Sequence, residues 1–286
     1  MYASLLSVLL LGMVPVWGMS TVDHSPIGTM AIASPSPLRS LPMGHLSASG
    51  VLIVDVQSGQ EVFARDSNGA RPMASLTKLM TALLIVENHA LDEWVRVPGD
   101  LGELNGNIAH LPTGHEFTVG DLLSALLTAS ANDAAETLAR FHSGSVEAFV
   151  AEMNARAEVL GLKRTHYANV AGFDDPDQWS SPRDVAWLAL FAFRHPPIAQ
   201  RLSQRGAQIR SRQGVMLSLT HTHAFLHAST PVVAGKTGTT NGAGQCLLSF
   251  VEAGGRQYLV VLLNSQARYV DLRVVLDALP ENQKAA

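Results

Sequence analysis

Cysteine is nearly absent: one thiol, Cys246, stands in 286 residues. A single cysteine cannot close a disulfide within its own chain, so the redox compartment has to be read from other features. Lysine is scarce as well, occurring only at Lys78, Lys163, Lys236 and Lys284. Charged side chains make up 15 % of the chain and the net charge is -4. No block of basic residues marks a nucleic-acid groove, so no nucleic-acid partner is expected. No internal repeat is visible. What the chain does have is apolar content, 47 % of its residues, enough for one large core or two modest ones.

The first apolar feature is terminal. Tyr2 to Met19 (YASLLSVLLLGMVPVWGM) is almost entirely apolar, but too short and too interrupted by proline and glycine for a transmembrane helix. It reads as a secretory signal with a small-residue cut near Gly18 or Ser20, although no Lys or Arg precedes it. The expectation is export to the periplasm or the cell-wall side of the membrane. Residues 1–20 then form a signal peptide or N-terminal anchor, with membrane contact only through that segment if it stays uncleaved. Residues 21–46, rich in Ser, Pro and Met, read as a linker. Residues 47–281 form the domain, and 282–286 a tail.

Within the domain, Ser49 to Asp55 is a short β-branched run followed by a turn at Ser58-Gly59, and Gln60 to Arg65 pairs back as a hairpin. From Leu76 the apolar residues fall at Leu76, Leu79, Met80, Leu83 and Leu84, the stripe of an amphipathic helix. Gly99 to Gly114 is polar without a strong period. Thr118 to Thr128 is a second helix, with Thr118 as N-cap and Asp121 three residues on. It breaks at Ala129-Ser130-Ala131-Asn132, and another helix runs from about Asp133 to Phe141. Val146 to Leu160, ended by Gly161, and Pro182 to Phe193 are further helices. Val232 to Thr240, Gln245 to Glu252 and Gln257 to Asn264 are β segments, and Val270 to Leu279 is a closing helix. Strands, a helical middle, then strands and a helix pack most simply as one antiparallel sheet receiving both chain ends. Helices cover its faces, and a helical lobe is inserted at about residues 90–200.

Three short motifs carry chemistry: Ser75-Leu76-Thr77-Lys78, Ser130-Ala131-Asn132, and Lys236-Thr237-Gly238-Thr239-Thr240. Two of the chain's four lysines lie in them. A serine three residues before a lysine shares a helix face with it. The hydroxyl becomes a nucleophile once a base takes its proton, and Lys78 can be that base if burial and a second cation keep its amine neutral. Lys236 is the candidate second cation. Ser130 would relay a proton to the leaving nitrogen, and Asn132 would hold Lys78 and a substrate amide. The Lys236 segment suits an edge strand to which an extended peptide adds, with Gly238 letting its backbone approach. Backbone N–H groups of Ser75 and Thr239 would form an oxyanion hole, each donor contributing roughly 3–4 kcal/mol. Thr237 and Thr239, beside Lys236, suit a substrate carboxylate.

At these residues the chain resembles the D-alanyl-D-alanine carboxypeptidase family, the low-molecular-mass penicillin-binding serine peptidases. The likeness covers MASLTKLMTALL, LLTASANDAAETLA, AGKTGTTNGAGQCLL and FVAEMNARAEVLGLKRTHYANVAGF. It implies an α+β fold of the β-lactamase and penicillin-binding transpeptidase type: a five-stranded antiparallel sheet with helices on both faces. It further implies a serine D,D-carboxypeptidase acting on peptidoglycan stem peptides through an acyl-enzyme on Ser75, inhibited by β-lactams and needing no cofactor. Carried over by motif, Lys78 is the base, Ser130 and Asn132 are the second motif, and Lys236, Thr237, Gly238 and Thr239 the third. The chain stops soon after the closing helix, where many family carboxypeptidases carry a β-rich domain and an amphipathic helix. This leaves room for a D,D-endopeptidase that cleaves cross-links. The family's asparagine-rich stretch before the third motif is Thr220-His221-Thr222-His223 here.

A β-lactamase on the same fold ranks lower, because a class A enzyme needs a glutamate for its deacylating water and Asp174-Asp175-Pro176-Asp177 offers no matching Glu. A non-catalytic wall-binding protein is opposed by the complete Ser/Lys/Ser/Asn/Lys set. His221 and His223 would share a face on a strand, but no third ligand stands at metal-site spacing, so no metal is assigned. Cys246 reads as a small core residue.

Overall fold

The computed structural model describes residues 46–101 and 105–280. The expected signal, most of the linker and the tail lie outside these residues. The chain opens with β1 (Gly50–Asp55) and β2 (Glu61–Arg65), then a 3-10 turn at Ala74–Thr77 that runs into α1 (Lys78–Asn88). A short hairpin, β3 (Trp94–Arg96) and β4 (Glu116–Thr118), leads to α2 (Val119–Leu127), α3 (Asn132–Ser143), α4 (Val146–Val159), α5 (Pro182–Ala192) and α6 (Pro196–Ser203). A second hairpin, β5 (Gly206–Arg210) and β6 (Met216–Thr220), precedes β7 (Val232–Thr240), β8 (Gly244–Ala253), β9 (Arg256–Ser265) and α7 (Arg268–Ala278).

The main sheet has five strands in the order β2-β1-β9-β8-β7, and every pairing in it is antiparallel. This is the α+β architecture expected. It has the consequence that the site needs: β7 is an edge strand, paired with β8 on one side only.

Both faces of the sheet are covered, so its central strands alternate between two cores rather than between core and water. Leu52 and Val54 of β1, with Leu259, Val261 and Leu263 of β9, pack toward the helices of the middle of the chain. Val51, Ile53, Val260 and Leu262 pack toward Leu272 and Val275 of α7. The period of two selects which core a residue enters, and two buried faces explain why these strands read as continuous apolar runs. Asp271 of α7, buried, ties the segment that leads into β1 to the end of β9. It accepts from the Ser47 N–H at 2.7 Å, the Ala48 N–H at 2.9 Å and the Ser265 hydroxyl at 2.6 Å.

The helix caps follow the sequence. Thr118 Oγ1 accepts from the Asp121 N–H at 3.0 Å, Ser181 Oγ accepts from the Asp184 N–H at 3.1 Å with Pro182 in the first turn, and Gly161 takes the left-handed φ of 71° after α4. The opening of α1 differs from expectation. The residues from Ala74 to Thr77 are wound as a 3-10 turn, closed by the Thr77 hydroxyl donating to Ala74 O at 2.8 Å. The α-helix begins only at Lys78. Two short hairpins and α6 also appear where no element was read. The three-residue strands of the first hairpin are too short to show a period.

Candidate active site

Ser75 sits in the 3-10 turn, where side chains three apart eclipse one another. Ser75 Oγ and Lys78 Nζ are 3.0 Å apart. The turn is held in an uncommon shape: Ala74 has a left-handed φ of 49°, and Gly172 lies directly beneath it. A Cβ on Gly172 would stand 1.9 Å from Ala74 O and 2.8 Å from Ser75 N. The loop carrying Gly172 is itself fixed by Asn169, whose Oδ1 accepts from the N–H groups of Ala171, Gly172 and Phe173 at 3.3, 2.7 and 3.0 Å.

Lys78 is fully buried. Its Nζ donates to Asn132 Oδ1 at 2.7 Å and to the Ala171 carbonyl at 2.6 Å. Burial pulls its pKa from 10.5 down to about 7, against the opposing pull of the Asp133 carboxylate. A neutral amine has two N–H groups and one lone pair. Two carbonyl-type oxygens, which can only accept, take both N–H groups. The lone pair is left for the Ser75 hydroxyl, the arrangement a general base requires.

Lys236 enters from β7 and is also fully buried. It donates to Ser130 Oγ at 2.7 Å and to the Thr237 carbonyl at 2.9 Å. Burial, then the charges of Lys78 and Arg268, hold its pKa well below the usual lysine range. Ser130 has a left-handed φ of 60°, which turns its hydroxyl from the break between α2 and α3 toward the sheet edge. All five candidate catalytic residues, Ser75, Lys78, Ser130, Asn132 and Lys236, therefore converge.

They line or underlie a cleft of about 670 Å³ bordered by Ser75, Ser130, Asn132, Gly172, the Thr237 to Asn241 edge and Arg268. A Cβ on Gly238 would lie 2.8 Å from Ser75 N, so the edge strand and the Ser75 turn touch through a missing side chain. Asn132 is less free than the sequence reading supposed, since its Nδ2 already donates to the Asn105 carbonyl at 2.5 Å. One N–H remains for a ligand.

Arg268, the first residue of α7, was not singled out from sequence. Its guanidinium donates to the Gly238 carbonyl at 2.8 Å and to Thr239 Oγ1 at 2.7 Å. Its guanidinium therefore stands at the β7 edge beside Thr239, where the sequence leads one to expect a substrate carboxylate. Thr237 Oγ1 donates instead to Thr222 Oγ1 at 2.6 Å, so the Thr220-His221-Thr222-His223 stretch forms one wall. Its histidines lie behind that wall: His223 Nε2 meets Ser249 Oγ at 2.8 Å, and His221 Nδ1 accepts from the His223 N–H at 3.0 Å. Burial first, then nearby cations, lowers their pKa values to about 3 for His221 and about 4 for His223. Neutral imidazoles add no charge beside Lys236. Among the described residues no cluster of three or more His, Cys, Asp or Glu side chains is placed to hold a metal. Cys246 is buried in β8, and that burial pushes its thiol up to about 11, which makes it an inert core residue. No described helix is long and apolar enough to cross a membrane.

Comparison with known proteins points the same way as the geometry. The sequence profile of the family described as D-alanyl-D-alanine carboxypeptidase matches residues 36–267. A D-alanyl-D-alanine carboxypeptidase of Bacillus subtilis is 31 % identical over 242 residues, covering 82 % of this chain and 61 % of that protein. A D-alanyl-D-alanine endopeptidase of Pseudomonas aeruginosa is 30 % identical over 248 residues, covering 85 % of this chain and 80 % of that one. Among solved structures, a D-alanyl-D-alanine carboxypeptidase from Mycobacterium tuberculosis superposes with a TM-score of 0.76 at 27 % identity, covering 86 % of this chain and 93 % of that one. A variant of a Streptomyces DD-transpeptidase superposes with a TM-score of 0.77 at 25 % identity, covering 82 % and 97 %.

Proposed function

This chain belongs to the D-alanyl-D-alanine carboxypeptidase family, and we propose that it is a serine D,D-carboxypeptidase that removes the terminal D-alanine from peptidoglycan stem peptides. The observation that carries this reading is the buried Lys78 amine. Its N–H groups are taken by Asn132 and Ala171, and its remaining valence lies 3.0 Å from the Ser75 hydroxyl.

In the proposed reaction the Ser75 proton passes to Lys78 as Oγ attacks the carbonyl of the penultimate D-alanine. The tetrahedral oxyanion is held by the N–H groups of Ser75 and Thr239. Collapse breaks the C–N bond. The leaving amine takes a proton through Ser130, which Lys236 orients, and D-alanine departs with its carboxylate facing Arg268, Thr239 and Lys236. Water then attacks the Ser75 ester, with Lys78 again accepting the proton; collapse breaks the acyl–Oγ bond, Lys78 returns the proton to Ser75 Oγ, and the shortened peptide leaves as its carboxylate. A stem peptide lying along β7 would extend the sheet edge by one strand. A β-lactam offers the same carbonyl and carboxylate and would acylate Ser75. The chemistry belongs on the cell-wall side of the membrane, in keeping with the apolar N-terminal run.

The test is a digest of purified muropeptides, cross-linked and uncross-linked, read by mass spectrometry with Ser75→Ala as control. Loss of one D-alanine from monomeric pentapeptide, absent in the variant, supports the carboxypeptidase reading. Conversion of dimers to monomers without that loss makes the chain an endopeptidase, as one relative is named. Neither change, with no penicillin adduct, refutes the acyl-transfer reading.

A further inference from the structure

Asp133 follows the second motif directly and has no part in the steps above. An acidic residue in the first turn of a helix ordinarily serves the dipole of that helix from the surface. Asp133 is only 5 % exposed, and most of its bonds are not local. Oδ1 accepts from the Ala134 N–H at 3.0 Å, but it also accepts from the Ala109 N–H at 3.0 Å, and Oδ2 accepts from the Leu111 N–H at 3.0 Å. Between them His110 takes a left-handed φ of 58°, which turns the two flanking N–H groups toward one carboxylate. Successive N–H groups in such a bend make an anion-binding concavity, and here the anion is a side chain of another element.

Asn132 grips the same segment. Its backbone N–H donates to Asn107 O at 2.8 Å and its Nδ2 to Asn105 O at 2.5 Å, while its Oδ1 accepts from Lys78. The stretch from Asn105 to Asn107 lines the cleft. Two adjacent residues of α3 thus pin the 105–111 segment, one by charge and one by an amide that also seats the Lys78 amine.

We propose that Asp133 is a positioning residue of this reaction: it clamps the 105–111 segment onto the second motif, fixing both the cleft wall that a stem peptide meets and the seat of Asn132 on Lys78. The proposal rests on the acyl-transfer reading above. All three hydrogen bonds of the carboxylate come from backbone N–H groups, so among the described residues no paired cation cancels its charge. That charge acts on the base itself. The charged groups around Lys78 are Asp133 from α3 and Lys236 from β7, with Arg268 of α7 beyond Lys236. Asp133 is the one that favours the ammonium; without it the amine would shed its proton at lower pH.

The experiment compares wild type, Asp133→Asn and Asp133→Glu in penicillin acylation and pentapeptide hydrolysis across pH, with amide hydrogen exchange at Ala109 and Leu111. Wild type comes first. If it neither hydrolyses the peptide nor acylates, the reaction reading fails, and this inference falls with it. With an active wild type, Asp133→Asn is expected to move the acid limb of acylation roughly one pH unit toward acid. It should also raise the peptide KM about tenfold and speed exchange at Ala109 and Leu111. Asp133→Glu keeps the charge and changes the reach, so its acid limb stays in place while KM rises. An unmoved limb with unchanged exchange in Asp133→Asn overturns the proposal. A loss of rate equal at every pH does so too, since it would mark a helix cap alone. Should Asp133→Asn not fold, Asp133→Glu decides: raised KM on an unmoved limb supports the clamp, and wild-type KM refutes it.

Discussion

Replacing Gly172 by alanine tests whether the Ser75 turn is held from below. The new Cβ would stand 1.9 Å from Ala74 O and 2.3 Å from Ala74 C, where ordinary contact begins at about 3.4 Å. The groups in the way are backbone, not the end of a flexible side chain, so the loop and the turn must separate by roughly 1.5 Å, the difference of those two distances. Gly172 also has a φ of 92°, outside the ordinary range of an L-residue. Overpacking costs about 1–3 kcal/mol and an ill-suited backbone conformation about 1–3 kcal/mol more. Against a total stability of about 5–15 kcal/mol, the variant should fold with a lowered melting temperature, by about 2–4 °C for each kcal/mol. The larger effect is on rate. Both Ser75 and Lys78 depend on this loop, the one through the turn and the other through Ala171 O. A misplacement of 1 Å costs about a hundredfold. The assay is acylation by a fluorescent penicillin followed by stopped-flow, with a thermal melt on the same sample. A variant that melts within 2 °C of wild type and acylates within about threefold of its rate would refute the reasoning.

Four further outcomes are expected. In the proposed mechanism Lys78 acts as a neutral amine and burial brings its pKa to about 7, so acylation kcat/KM should rise with pH through about 7. Over the same linkage, the unfolded chain takes up a proton on Lys78 between pH 10.5 and about 7 that the folded chain resists. The contribution of that group to stability therefore falls as pH is lowered through this window, which chemical denaturation at several pH values measures. Arg268→Ala should lower kcat/KM for peptides ending in a carboxylate about tenfold to a hundredfold, in line with about 1.5–3 kcal/mol for a charge-assisted hydrogen bond. Peptides ending in an amide should lose much less, and equal losses would place Arg268 outside the carboxylate corner. Asp271→Asn should destabilise the fold by about 2–4 kcal/mol by weakening the clamp on Ser47, Ala48 and Ser265, with acylation per folded molecule unchanged. A melt and an active-site titration check both halves.

The sheet and its helices were largely legible because their signals are local. The runs Val232 to Thr240 and Gln257 to Asn264 needed only composition and turn residues to be read as strands, and Thr118 as N-cap and Pro182 in a first turn marked the starts of two helices. The hairpins β3–β4 and β5–β6 were missed because their pairing is decided by partners 20 residues away or by a polar surface, not by a period. The helix expected from Leu76 starts as α-helix only at Lys78, because a spacing of three suits both the 3-10 and the α winding. The left-handed Ala74 of the 3-10 turn lies against Gly172, about 100 residues downstream in the loop that Asn169 holds.

By itself the sequence determined which groups are available and which element presents each: a hydroxyl three residues before an amine, Ser130 and Asn132 at a helix break, and Lys236 on a strand with a missing side chain at Gly238. Those follow from short-range rules of winding and pleat. The tertiary structure alone decided their chemical state. Lys78 meets Asn132 and Ala171 across 54 and 93 residues of chain, and Lys236 meets Ser130 across 106. Only that assembly removes water from both amines. Desolvation is a property of everything packed around a group, and no window of sequence contains it. The same holds for Arg268 on Gly238 and Thr239 and for Asp133 on the 105–111 segment, whose partners become neighbours only when the last helix and the inserted lobe close on the sheet edge.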